Sequence, residues 1–315
     1  MKNSEDMSVK RGQTAFMRNR AYLKKNAALY IILIPFLLWM LIFQYKPMWG
    51  LQIAFKDYSL FGGMAESDWV GFEHFKVFLT GPYFWRLLRN TVMIGFYGLL
   101  FGFPAPILLA LMLNEVKNKT YKKSLQTAMY IPYFISTVVV AGIVTNILSP
   151  TGLVNVIIEK LGFEGIYFLT EPKYFRTIYT TMTIWQSCGY NAIIYLAALS
   201  GIDVQLYEAA QIDGANKFKQ MLHVTFPGIL PTVIIMLIMN CGSLVNVGFE
   251  SIILLYQPST YEVADVISSY VYRIGLTDGD YGLATAVGVF NSVVALLFVS
   301  LANTISKRVS EYSLW

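Results

Sequence analysis

Charge is what this sequence has least of. Only 14% of its 315 residues are Asp, Glu, Lys or Arg, against roughly a quarter in a soluble domain. With 56% of the chain hydrophobic and a mean hydropathy of +0.52, there is not enough charge to cover a globular surface. The soluble class is excluded. Histidine is nearly absent: His74 and His223 are the whole supply, too few to build a histidine-based metal cluster. The two cysteines, Cys188 and Cys241, both fall in apolar stretches, which excludes a disulfide framework and suits small reduced core residues. No G-x-x-x-x-G-K-[ST] loop occurs, so the chain has no phosphate-cradling turn of its own. The net charge of +5 is spread in short tracts between apolar blocks, which is not a nucleic-acid footprint.

What is present is a series of long apolar runs. A membrane helix needs ~20 mostly apolar residues to cross ~30 Å of hydrocarbon. Six runs qualify: Ala27 to Tyr45, Thr91 to Leu113, Ala128 to Leu148, Thr177 to Leu199, Gly228 to Leu255, and Leu283 to Ile305. The first follows Lys24 and Lys25 as a secretory signal would. No small-x-small cleavage site comes after it, however, only Gln44, Tyr45, Lys46 and Pro47, so it reads as an uncleaved anchor helix. The expected architecture is therefore an all-α polytopic membrane protein with six spans. A basic tail covers residues 1–25, the first span 26–45, and an extracytoplasmic segment 46–90. A five-span core covers 91–305 and a short tail 306–315.

Orientation follows from lysine and arginine in the connections. With the N-terminus inside, the inner segments hold 15 of them and the outer segments 9, although the outer segments are longer. Both termini are expected in the cytoplasm. The tract containing Lys10, Arg11, Arg18, Arg20, Lys24 and Lys25 acts in this reading as a topology signal, not a binding site.

One inner connection is long and patterned: GIDVQLYEAAQIDGANKFKQMLHVTFPGILP, residues 201–231. Asp203 suits an N-cap, followed by a small, partly apolar face of Leu206, Ala209, Ala210 and Ile212. Asp213-Gly214 then breaks the helix, because glycine tolerates the positive φ of a C-terminal cap. Asn216 suits the N-cap of a second short helix, Lys217 to Val224, which Phe226-Pro227 is expected to end. The product is a helix–turn–helix finger over residues 201–227.

These residues carry a resemblance. Glu208-Ala209-Ala210, Asp213-Gly214-Ala215, Phe218, Phe226-Pro227 and Pro231 resemble, at fixed offsets, the EAA motif of ABC importer permeases; Phe226 stands where that pattern more often has Leu or Ile. Tyr30, Pro35, the stretch KPMWGLQIAFKDYSLF, the stretch YEVADVISSYVYRIGL and the ending SLW extend it over nearly the whole chain. They are similar to the oligosaccharide and polysaccharide-fragment branch of the maltose-type, binding-protein-dependent carbohydrate-uptake permeases. The resemblance implies a type I importer permease fold in which the finger is a coupling helix docked on a cytoplasmic ATPase. It assigns that role to Tyr207, Glu208, Ala209, Ala210, Asp213, Gly214, Ala215, Lys217 and Phe218. The implied partners are a homologous second permease, two ATPase subunits and an extracytoplasmic, often lipid-anchored, solute-binding protein. ATP and magnesium would sit on the ATPase, leaving this chain without a cofactor.

Polar residues inside spans are costly and tend to face a bundle interior or a wet cavity. In the fifth run, Asn240, Ser243, Asn246 and Glu250 share a face ~120° wide if the run is one helix. In the fourth, Trp185, Gln186 and Tyr190 fall in a ~140° sector with Gly189 between them, and Asn191 falls outside it. Aromatic faces with amides and a carboxylate suit a sugar, so these eight residues are the expected pathway set. Glu250 is also a candidate to pair with Arg273. Gly98-x-x-x-Gly102 reads as a helix-packing face, and Pro104 and Pro106 as a kink. Two rival readings weaken on inspection. An intramembrane enzyme needs a nucleophile–base pair or a metal set within the spans, which hold no histidine and no paired acids. A stand-alone carrier of two six-helix halves would need about twice the spans.

Overall fold

The computed structural model describes residues 26–309 and Ser313. The basic tail read above as a topology signal lies outside the described residues. The described residues are helical, with one isolated antiparallel bridge between Lys56 and Trp69.

The chain divides into two units, residues 1–53 and 54–315. The first is built on α1 (Ala27–Met40), whose sequence AALYIILIPFLLWM is apolar on every side and which buries none of its residues within the protein. A helix apolar all round is one solvated by lipid. A π turn at Leu41–Tyr45 continues it.

The second unit holds the rest. After α2 (Glu73–Thr80), α3 (Phe84–Tyr97) runs through a π turn, Gly98–Gly102, into α4 (Pro104–Glu115). Next come α5 (Lys119–Tyr130), α6 (Thr137–Leu148), α7 (Leu153–Lys160) and the 29-residue α8 (Pro172–Ser200). The finger helices α9 (Val204–Ile212) and α10 (Lys217–Gln220) lead into α11 (Phe226–Gly242). Three short helices, α12 (Phe249–Leu255), α13 (Tyr261–Ala264) and α14 (Ile267–Tyr272), precede the long α15 (Tyr281–Val309). Five helical stretches are long and apolar enough to cross a membrane, and six if α8 and α9 count as one span bent by 70°.

Helix α8 is the axis of this unit. Near the finger its Ala192, Tyr195 and Leu199 pack with Ile107 and Ala110 of α4 and with Ile229 and Val233 of α11. At its other end Phe175, Tyr179 and Met182 pack with Ile94, Val140, Ile252 and Val266. A third core joins Phe78, Leu87, Ile267 and Val287, fixing α2 and α3 to α15.

Several expectations are corrected. The third run is not one helix from Ala128 to Leu148. Pro132 cannot donate its missing N–H, a 3-10 turn at Ile131–Phe134 interrupts the chain, and Ser136 caps a new helix through Val139 N at 3.4 Å. The crossing stretch is Thr137–Lys160 instead. The fifth run is also broken, because α11 stops at Gly242 and α12 starts at Phe249. It begins earlier than expected too. Phe226-Pro227 does not end the finger's second helix: the π turn Met221–Thr225, closed by Phe226 N on Met221 O, carries the chain past the proline and straight into α11.

Gly98 and Gly102 do not bring two backbones into close approach among the described residues: a Cβ at Gly98 would meet nothing within 4 Å, and one at Gly102 only Ile184 in ordinary contact. The close approaches are Gly189 against the carbonyl of Met129 and Gly95 against the carbonyl of Leu244. The irregularity expected from the prolines falls in the turn that precedes Pro104, where Phe103 N bonds back to Gly98 O at 3.1 Å. Gly189→Val is therefore expected to destabilise the detergent-solubilised protein by at least the ~1–3 kcal/mol typical of overpacking, read as a lowered unfolding midpoint. Gly98→Ala, into open space, should leave it unchanged.

Candidate functional site

The finger is stabilised from within. Asp203 Oδ1 accepts from Gln205 N at 2.9 Å and starts α9. Gly214, at φ +74°, ends it. Gly214 N bonds to Gln211 O at 3.0 Å and Ala215 N to Ala210 O at 2.9 Å, the paired bonds of a Schellman turn. Asn216 Oδ1 accepts from Lys219 N at 2.9 Å and starts α10. The hydroxyls of Tyr207 and Thr225 meet at 3.0 Å, and Gln220 Nε2 donates to Ala215 O at 2.9 Å, so the two arms are cross-braced. Ile202 packs where a Cβ on Gly228 would stand.

Against this rigid frame, Leu206, Ile212 and Phe218 are exposed at 55%, 88% and 66%. Glu208, Ala209, Asp213 and Gly214 are exposed beside them. Tyr207 differs from the other expected coupling residues, since its hydroxyl is spent inside the finger. Lys217 lies 3.9 Å from Glu115 at the end of α4, an exposed pair of small energetic weight.

A polar cavity of about 390 Å³ opens between α3, α8 and the break that follows α11. Asn191, Asn240, Ser243 and Asn246 line it, with Thr183, Ser187 and Tyr179 of α8 and the π-turn glycines Gly98 and Gly102. The π turn thus presents bare backbone to the cavity. Asn240 Nδ2 donates to Met236 O at 2.8 Å, and Asn246 Oδ1 accepts from Asn291 of α15 at 2.9 Å.

Not all of the expected pathway residues share this cavity. Trp185 lies beside a separate apolar groove with Ile143, Val144 and Ile178. Gln186 Nε2 donates to Ile135 O at 3.1 Å, and Tyr190 stacks on Tyr133 with ring centroids 3.8 Å apart. Asn191, placed outside the sector in the sequence reading, is the residue of that group that reaches the cavity. Because α11 ends at Gly242, Asn240, Ser243, Asn246 and Glu250 do not form one helical face. Glu250 is exposed in the first turn of α12. Its expected partner is taken.

Arg273 instead grips Asp265, with Nη2 2.8 Å from Oδ2 and Nη1 3.3 Å from Oδ1. Asp265 is fully buried and also receives Arg86 Nη2 at 3.2 Å and Ser269 Oγ at 2.8 Å. Asn90 Nδ2 adds bonds to the carbonyls of Glu262 at 2.9 Å and Asp265 at 3.0 Å. Burial alone would pull the Arg273 guanidinium down, yet the hydrogen bond and charge of Asp265 outweigh it and hold it above its ordinary value. The sequence reading missed this cluster. Its one available signal was an acid and a base eight positions apart in YEVADVISSYVYRIGL, flanked by apolar residues.

A family model, the binding-protein-dependent transport system inner membrane component, matches residues 102–311, more than half of the chain. The chain belongs to this family. The match takes in the finger and the Asp265 helices, while Arg86, Asn90 and part of the cavity precede it. Protein LplB of Bacillus subtilis (strain 168) is 45% identical over 94% of this chain and 93% of its own. The polygalacturonan/rhamnogalacturonan transport system permease protein YteP of the same organism is 43% identical over 91% of this chain and 90% of its own. Among solved structures, a bacterial ABC transporter involved in the import of the acidic polysaccharide alginate has a chain 48% identical to this one. It superposes with a TM-score of 0.85 over 92% of this chain and 99% of its own. A structure of a bacterial alginate ABC transporter in complex with pentasaccharide-bound periplasmic protein matches equally well, at 47% identity and TM-score 0.85 over 93% of this chain and 99% of its own. As a member of this inner-membrane family, the chain is a multi-pass permease component, and its helices fit that assignment.

Proposed function

We propose that this permease forms one half of the membrane pathway of an ATP-driven oligosaccharide importer. An extracytoplasmic binding protein delivers the sugar, and a homologous second permease completes the pathway. The finger and both termini lie in the cytoplasm, where two separate ATPase subunits bind the nucleotide and its magnesium. ATP-driven closure of the ATPases draws the docked fingers together and opens the cavity outward; hydrolysis reverses the movement. The observation that carries this reading is the finger itself. A cross-braced helix pair that leaves Leu206, Ile212 and Phe218 bare is built to be covered by another protein, and its small residues Ala209, Ala210 and Gly214 admit a close backbone approach.

Affinity purification from native membranes tests it. An ATPase and a second permease are expected to co-elute with the tagged chain, and removal of residues 204–220 should release the ATPase while the second permease stays. Sugar uptake by the chain purified alone would instead establish a stand-alone carrier.

A further inference from the structure

Four arginines gather at the end of the bundle opposite the finger, and two of them, Arg89 and Arg176, form no ion pair among the described residues. Asp265 is fully engaged by Arg86, Arg273 and Ser269. Arg89 donates to the main-chain oxygen of Glu262, at 3.0 Å, not to its carboxylate. Arg176, near the start of α8, makes no ion pair among the described residues. Its Nη2 donates to Asn90 Oδ1 at 3.1 Å, while its Nε is buried without a partner. Arg89, next to Asn90 in the chain, stands close enough for its charge to repel that of Arg176. A half-buried cation is stabilised by an anion, and the described residues place none in ion-pair range of Arg176.

Its position says where the anion comes from. Arg176 precedes the cavity residues Tyr179 and Thr183 by three and seven positions on α8, so it shares their face one turn beyond the rim. Asn90, which holds it, precedes the rim residue Ile94 by four on α3. Arg176 therefore stands one turn beyond the rim on the side away from the finger, the side from which the proposed importer takes up its oligosaccharide. A planar donor fork matches a carboxylate in two bonds at once, which a neutral sugar hydroxyl does not reproduce.

Resting on the oligosaccharide reading above, we infer that Arg176, set by Asn90 at the rim of the polar cavity, binds the carboxylate of uronic-acid residues and makes the pathway selective for acidic oligosaccharides. Arg89 adds long-range attraction and Asn90 is a positioning residue.

The test is uptake by intact cells carrying the complete transporter, with labelled trigalacturonate, triguluronate, galactotriose and maltotriose as probes and membrane levels checked by immunoblot. The parent is expected to take up a uronate trisaccharide in preference to the neutral ones. Arg176→Gln should lower that uptake roughly 10- to 100-fold, the loss of a charge-assisted pair. Arg176→Lys, which keeps the charge but not the fork, should raise KM several-fold at nearly unchanged maximal rate, and it carries the test if the glutamine variant does not reach the membrane. Uronate uptake unaltered in both variants overturns the inference, as does a parent that takes up only neutral trisaccharides; either result leaves the importer reading standing. A parent that takes up none of the four counts against the oligosaccharide reading itself, and the inference falls with it.

Discussion

Asp265→Asn is expected to destabilise this permease by about 3 kcal/mol, the lower end of the range for breaking a buried ion pair. The carboxylate is wholly buried and receives two guanidiniums and a hydroxyl, while Arg86 and Arg273 keep 30% and 26% of their side-chain exposure. Their partial access to solvent is why the lower end applies. The amide keeps the shape of the carboxylate but leaves two arginines facing each other with no charge between them. The loss spreads beyond the pair, because the Asp265 carboxylate ties α3, through Arg86, to the α13–α14 corner. Arg86→Gln should cost much less, since Arg273 retains the bidentate grip. The measurement is the unfolding midpoint of the detergent-solubilised complex together with the amount in the membrane. An asparagine variant as abundant and heat-stable as the parent would show that the carboxylate is not what holds this corner.

That cluster also marks where reading the sequence stops working. Helix α1 was legible because every residue from Ala27 to Met40 is apolar or aromatic, and no packing partner is needed to say so. The finger's caps were legible for a related reason: Asp203, Gly214 and Asn216 bond within five residues of themselves, so local spacing specifies them. The break after Gly242 was not. Residues 228–255 are apolar almost throughout, and hydrophobicity is the same on both sides of a bend that tertiary contact decides. The face drawn through Asn240, Ser243, Asn246 and Glu250 failed with that break. Arg273 was read as a candidate partner for Glu250, but Asp265 shares its stretch while Arg86 comes from 179 positions away. Periodicity carries no information about a pair that distant. Asn191 shows a subtler limit. The sector containing Trp185, Gln186 and Tyr190 was real as geometry, but which sector of α8 meets the cavity depends on where α3 and α11 lie.

Gly214→Val is expected to abolish sugar uptake, at least 10-fold, while leaving the membrane helices folded. Gly214 sits at φ +74° and carries the Schellman turn that ends α9. A β-branched residue pays ~1–2 kcal/mol or more in that left-handed region, enough to straighten or fray a turn held by two hydrogen bonds. The finger tip would then present Ile212 and Phe218 in a different arrangement, and ATP hydrolysis on the partner should continue without driving uptake. Uptake at the parental level in this variant would falsify the docking role. Gly214→Asn separates two causes, because asparagine accepts the left-handed conformation and, its two chain neighbours aside, no described residue comes within 4 Å of the Cβ it would add. If the asparagine variant transports normally and the valine variant does not, the backbone turn is what the finger needs. If both fail equally, the added side chain must be meeting something this chain does not contain, and the surface it meets belongs to the docked partner.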